Sequence, residues 1–257
     1  MRTISKLGTA TLGSALLLTL GAGMAQAATA SDGNNMATLR PVALNGVDAS
    51  GTAMVTVTGN RIDVTMAASG LLADSPHAAH IHFGKEARNE CPIASDDKDG
   101  SGTLNTTEGG PAYGPIVVSL TKSGDTSPKS ALAIDRFDTA PGGKISYERG
   151  SIKVSSKVAA AISAGKSVVV VHGVDHDGDG KYSGDTKSEL DGSLPTEATD
   201  PALCGVLAAA PAGGVQTGGG GTSTPNNQAL GLALGGGLIL TAMGTGAFAA
   251  RKATNRI

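Results

Sequence analysis

The sequence predicts an all-β domain, an antiparallel sandwich or barrel, followed by one C-terminal transmembrane helix. Three observations predict it. Short alternating or β-branched runs recur from Ala37 to Leu207, separated by turns rich in Gly, Asn and Asp. Gly59-Asn60 joins two such runs at the spacing of a two-residue hairpin. Ala229 to Ala250 carries no charge and is followed by Arg251, Lys252 and Arg256.

In chain order, Met1 to Ala27 has the parts of an export signal: Arg2 and Lys6, an apolar stretch around Leu17-Leu18-Thr19-Leu20, and the small-residue cleavage site Ala25-Gln26-Ala27. The exported domain is expected over 31–210. Its first segment, Ala37–Leu44, is interrupted by Pro41 and reads as an edge or bent strand. Val55–Thr58 and Arg61–Met66 form the hairpin. Further strands are expected at Ala79–Phe83, Ile116–Leu120, Ile145–Val154, Ser167–His172 and Cys204–Leu207. One short helix is expected at Val158–Ile162, with Ser155 as its cap and Gly165 beyond it. A flexible Gly/Pro/Thr linker occupies 211–228. The uncharged segment 229–250 would be roughly 33 Å long as a helix, enough for a hydrocarbon core of about 30 Å. The basic tail 251–257 then stays cytoplasmic and the domain faces outward, at the membrane or cell wall. Gln216-Thr217-Gly218 carries the Thr-Gly of a wall-sorting signal without its usual Leu and Pro, so sortase processing is a second expectation beside membrane tethering.

Setting aside Arg2, Lys6, Arg251, Lys252 and Arg256 leaves 15 basic residues against 22 acidic ones, a net charge of −7. With three Tyr, three Phe and no Trp, the chain has neither the basic face nor the stacking platform of a nucleic-acid binder. The two cysteines, Cys91 and Cys204, read as one disulfide in an exported protein. Two free thiols serving as metal ligands are the rival, against which stands the lack of any short Cys-x-x-Cys spacing.

All five histidines fall in two places, His77/His80/His82 and His172/His176. On a strand, His80 and His82 share a face, and His172 ends another apolar strand. Three such imidazoles are a donor set for a soft or borderline metal. The competing account is a set of satisfied core histidines, and His77 fits it. His176 reads as a solvent-facing turn residue.

Two loops have calcium-type spacing. From Asp97 to Glu108, oxygen donors fall at Asp97, Asp99, Ser101, Thr103 and Asn105, with Gly102 at the sharp turn, apolar Leu104 at the eighth position and Glu108 at the bidentate twelfth. Flanking helices are not expected, because Cys91-Pro92 and Gly109-Gly110-Pro111 bracket the loop. Asp175, Asp177, Asp179 and Lys181 begin a weaker second loop. Its twelfth residue is Thr186, leaving Asp185 or Glu189 to supply the missing carboxylate. A solvated Asp/Gly turn is the alternative for both.

The same residues carry a family resemblance. Gly70-Leu71-Leu72 leading into His77-Ala-Ala-His80-Ile-His82-Phe-Gly84 resembles the copper strand of Cu,Zn superoxide dismutases. Cys91, Val169-Val-Val-His172-Gly173 and Cys204-Gly205-Val206-Leu207 follow in the matching order. His-Ala-Ala-His-Ile-His with Gly114-Pro-Ile-Val-Val118 is also similar to the CHRD domain. The resemblance implies an eight-stranded Greek-key barrel, copper ligands at His80, His82 and His172, and a structural role for His77. It also implies what is missing. No histidine lies between His82 and His172, the bridging position falls near Asp97, and Pro201 stands where the anion-guiding arginine would be. Copper without zinc is therefore expected. Copper would alternate between two oxidation states if superoxide is the substrate, but the domain's acidic charge opposes steering of that anion. A non-catalytic, calcium-stabilised CHRD-like surface module is the alternative function.

Overall fold

The computed structural model describes residues 33–210. The expected export signal 1–27, linker 211–228, membrane segment 229–250 and tail 251–257 lie outside the described residues. Among those described, no helix is long and apolar enough to cross a membrane.

The chain is mostly β. Its strands are β1 (Gly33–Pro41), β2 (Ser50–Thr58), β3 (Arg61–Ser69), β4 (Pro76–His77), β5 (Ala79–His82), β6 (Ile116–Ser119), β7 (Asp138–Thr139), β8 (Lys144–Lys153), β9 (Ser167–His172) and β10 (Pro201–Ala209). Among the described residues the α-helices are short: α1 (Thr106–Tyr113), α2 (Ser156–Ser163) and α3 (Thr196–Thr199). Eight strands form one antiparallel sheet in the order β6-β5-β9-β10-β1-β2-β3-β8, and β4 pairs with β7 separately. The large sheet curls around its core, so that Val118 of β6 and Tyr147 and Ile152 of β8 join one apolar cluster with Leu39, Val57 and Val171.

Local sequence explains the well-formed half. β3 alternates strictly between exposed and buried residues, as a strand with one face on the core must. Thr58 pairs with Arg61 across Gly59-Asn60, closing the expected hairpin. Ser155 caps α2 by accepting the Val158 N–H. Pro41 behaves differently from expectation: β1 lies inside the sheet, between β10 and β2, and Pro41 is tolerated because it is the strand's last residue.

The β9 run is buried throughout because both of its faces are covered. Val169 and Val171 enter the main core. Val168 and Val170 pack on the opposite face with Val42, Leu104, Tyr113 and Cys204. Register then fixes the histidines, since His80 stands opposite Val170 and His82 opposite Val168. His80, His82 and His172 therefore share the outer face, beneath the loops that cover it.

Cys91 and Cys204 form a disulfide across 113 residues, which removes the alternative of free thiols as metal ligands. It ties the 91–115 connection to β10 beside that outer face.

Candidate metal centre

The three histidines converge. One ligand nitrogen from each lies within 4.8 Å of the others. The ring centroids of His80 and His172 are 5.1 Å apart, and those of His80 and His82 are 5.7 Å apart. All three side chains are buried.

Each ring is oriented by a backbone carbonyl, which can only accept a hydrogen bond. His80 Nε2–H donates to Ala131 at 3.1 Å, His82 Nδ1–H to Gly114 at 2.7 Å, and His172 Nδ1–H to Thr199 at 2.6 Å. Those bonds fix the tautomers and leave a bare lone pair on His80 Nδ1, His82 Nε2 and His172 Nε2. The same three atoms are buried and have no hydrogen-bond partner. Burial also keeps the rings neutral: it lowers His82 to about 3 and His172 to about 4, and holds His80 well below the ordinary histidine range. Orphaned buried acceptors are costly, and three that meet at one place call for a cation. The donor set thus fits a soft or borderline metal ion.

His77 plays another part, as expected. Its ring nitrogens lie 2.8 Å from the His172 carbonyl oxygen and 3.0 Å from that of Leu72, so it holds the backbone of a neighbouring histidine.

Above the imidazoles opens a pocket of about 420 Å³, walled by Tyr113, Ile116, Leu132, Ile134 and Leu190 among others. Among the described residues no lysine or arginine lines it. Pro201 pairs with His172 in the sheet and supplies no charge there. Asp97 does not approach the histidines; it clusters with Asp99 and Glu108.

That acidic cluster has an ordered scaffold. Asp97 accepts the N–H groups of Gly100 and Gly102, and Asp99 accepts that of Ser101. Glu108 reaches back: Oε1 accepts from Lys98 and Asp99, and Oε2 from Asn105. Ser101 Oγ is spent on Thr103, and the Asn105 side chain accepts the Glu108 N–H. The last contact is half of a capping box, and it starts α1, a helix not expected from the Gly109-Gly110-Pro111 string. Leu104, the eighth residue, is fully buried in the apolar cluster beneath the loop.

The second loop repeats the pattern. Asp175 accepts from Gly178 and Gly180, and Asp177 from Asp179. Asp175, Asp177 and Asp179 bring carboxylate oxygens within 4.8 Å of one another, while the Lys181 ammonium pairs with Asp179 at 3.2 Å. The backbone bonds that Glu108 makes in the first loop are made here by a residue that sequence spacing missed and that stands outside the Asp175, Asp177 and Asp179 cluster. Glu197, buried in α3, accepts His176 and Asp177 N–H on Oε1 and Ser183 N–H on Oε2. These are the second, third and ninth loop positions, the same three that Glu108 serves in the first loop. Glu189 is engaged elsewhere, accepting the Thr107 N–H at the start of α1. His176 sits in the exposed turn, as expected, while its Nε2 pairs with buried Asp200 at 2.9 Å, which raises its pKa.

Both loops brace the histidine pocket. Tyr182, eighth in the second loop, hydrogen-bonds the His77 ring. Thr106, at the end of the first, donates to the Thr199 carbonyl that also holds His172.

The family model for the CHRD domain matches residues 28–184, well over half of the chain. No curated protein matches it.

Proposed function

The chain belongs to the CHRD domain family, and on that premise we propose a non-catalytic, exported surface module whose connecting loops are ordered by calcium. The observation that carries this reading is the equivalence of the two acidic loops. Each presents three carboxylates at one point, and in each a glutamate ties together the second, third and ninth backbone N–H groups. Bound calcium would be held in the first loop by Asp97, Asp99 and Glu108, with Ser101, Thr103 and Asn105 available as further oxygen donors. In the second it would be held by Asp175, Asp177, Asp179 and Glu197, with the backbone carbonyl of Lys181 at the seventh position. The export signal and the uncharged C-terminal segment support tethering at the outer face of the membrane or wall. The order of strands, with β3 passing to β5 and β6 to β8 across the open seam, supports the finer description as a Greek-key barrel.

A second reading, favoured by the three orphaned nitrogens, is a copper-type centre held by His80 Nδ1, His82 Nε2 and His172 Nε2. Copper would bring redox chemistry. Superoxide dismutation is the less supported use of it, because the pocket offers an anion no lysine or arginine.

The test is a thermal melt of the purified 31–210 domain with calcium and with chelator, beside a copper titration. A melting temperature unchanged by chelator would remove the calcium reading. Copper binding at one equivalent that is lost in His82→Ala would support the second reading, and unaltered affinity in that variant would locate the site elsewhere. Rapid superoxide decay by the copper-loaded domain would overturn the non-catalytic assignment.

A further inference from the structure

The pocket over the histidines has a chemical character of its own. Its floor is three neutral imidazoles and its walls are apolar, with Tyr113 packed edge-on against His82 at 4.5 Å between centroids. Large apolar side chains exposed at its lining, Leu132 and Leu190, would cost nothing to bury under an apolar guest. Among the described residues its lining carries no charged side chain, and two carboxylates are next to lining residues in sequence. Asp200, adjacent in sequence to the lining residue Thr199, has one carboxylate oxygen buried without a hydrogen-bond partner. Glu189, beside the lining residue Leu190, acts electrostatically on both Tyr113 and His172. An incoming anion would be desolvated by apolar walls that offer it no lysine or arginine, with the Glu189 carboxylate acting on His172 of the same floor. A pocket of about 420 Å³ also holds much more than a diatomic molecule.

We propose that this pocket admits a small neutral molecule with an apolar body and one soft lone-pair donor, and discriminates against anions. The inference rests on the copper-type reading of the three histidines, and it names the ligand class that reading leaves open.

Gly110 supplies the control. It lies in α1 and lines the pocket, and a Cβ built there meets nothing within 4 Å. Gly110→Phe therefore has room to start a side chain at the pocket lining, and retained copper affinity in that variant is its check that the histidines are undisturbed. Leu190→Lys, at an exposed position, adds a cation at the lining.

The experiment loads the purified full-length protein with Cu(I), measures its affinity by chelator competition, and titrates tert-butyl isocyanide and thiocyanate while following their infrared stretches. The expected result is one isocyanide per copper, with thiocyanate weaker by about tenfold or more. Gly110→Phe should keep its copper and lose the isocyanide, and Leu190→Lys should tighten thiocyanate. Thiocyanate binding as tightly as isocyanide, or isocyanide binding unchanged in Gly110→Phe, overturns the pocket assignment while copper stays bound. Failure to take up Cu(I) at all overturns the metal reading instead, and the pocket assignment with it.

Discussion

Glu197→Gln tests the second acidic loop where its construction is least expected. The glutamate accepts three part-buried backbone N–H groups, from His176 at 2.8 Å, Asp177 at 3.4 Å and Ser183 at 2.6 Å. Glutamine is nearly isosteric but keeps one acceptor oxygen, and its amide presents N–H toward N–H on the other side. At least one backbone donor loses its partner, which costs about 1–3 kcal/mol, and the surviving bonds lose their charge assistance. The metal-free domain should therefore be destabilised by about 2–4 kcal/mol, or roughly 4–16 °C in melting temperature for a domain of this size. Calcium adds a separate signature. At a hundredfold its Kd, one bound ion stabilises by about 2.7 kcal/mol, so two sites give about twice that and the variant should retain only one share. Differential scanning calorimetry with and without calcium, together with calorimetric stoichiometry, measures both quantities. A Glu197→Gln variant that still binds two calcium ions, with the full calcium-dependent increment, would refute the assignment of Glu197 as the twelfth-position carboxylate.

Three other outcomes follow from the same contacts. Replacing Cys91 and Cys204 together by Ser releases a loop of 113 residues and should cost about 4–5 kcal/mol on the chain-entropy account, read as a lower urea midpoint. Burial lowers the folded-state pKa of His82 to about 3, so the unfolded chain binds the extra proton below the ordinary value near 6.5, and stability falls as the pH drops through that window. His82→Gln should flatten the metal-free pH dependence between about pH 6 and 4 by up to about 1.4 kcal/mol per pH unit, and parallel wild-type and variant curves would contradict the buried neutral ring. Gly173 adopts a φ of +109°, and a Cβ there would run into the Tyr182 hydroxyl and within 2.7 Å of His77 Nδ1. Gly173→Ala should therefore destabilise the fold by about 2 kcal/mol or more and loosen the His77–Tyr182 contact, visible as a changed histidine resonance.

What could be read from the chain divides along a physical line. The shared face of His80 and His82 follows from strand alternation, a local property, and the continuous apolar run 167–171 announces a strand covered on both sides. The Asp97 loop was legible because its hydrogen-bonding carboxylates sit within twelve residues. Its helix was not, since the Gly-Gly-Pro string outweighed the Asn105/Glu108 capping box in a reading by composition. Glu197 was invisible for a stronger reason: it enters the second loop through tertiary folding, 22 residues after Asp175, so no spacing rule reaches it. The pocket lining is of the same kind, assembled from segments around 110–116, 131–134 and 190–199 that share no periodicity. These connections are held by loop carboxylates, the disulfide and the Thr106–Thr199 contact, and they also supply the carbonyls that orient His80, His82 and His172. Order in the acidic loops and convergence of the imidazoles are consequently linked through Thr199 and Tyr182. If calcium orders the loops, its removal by chelator should lower copper affinity at His80, His82 and His172, read by competition titration with and without calcium.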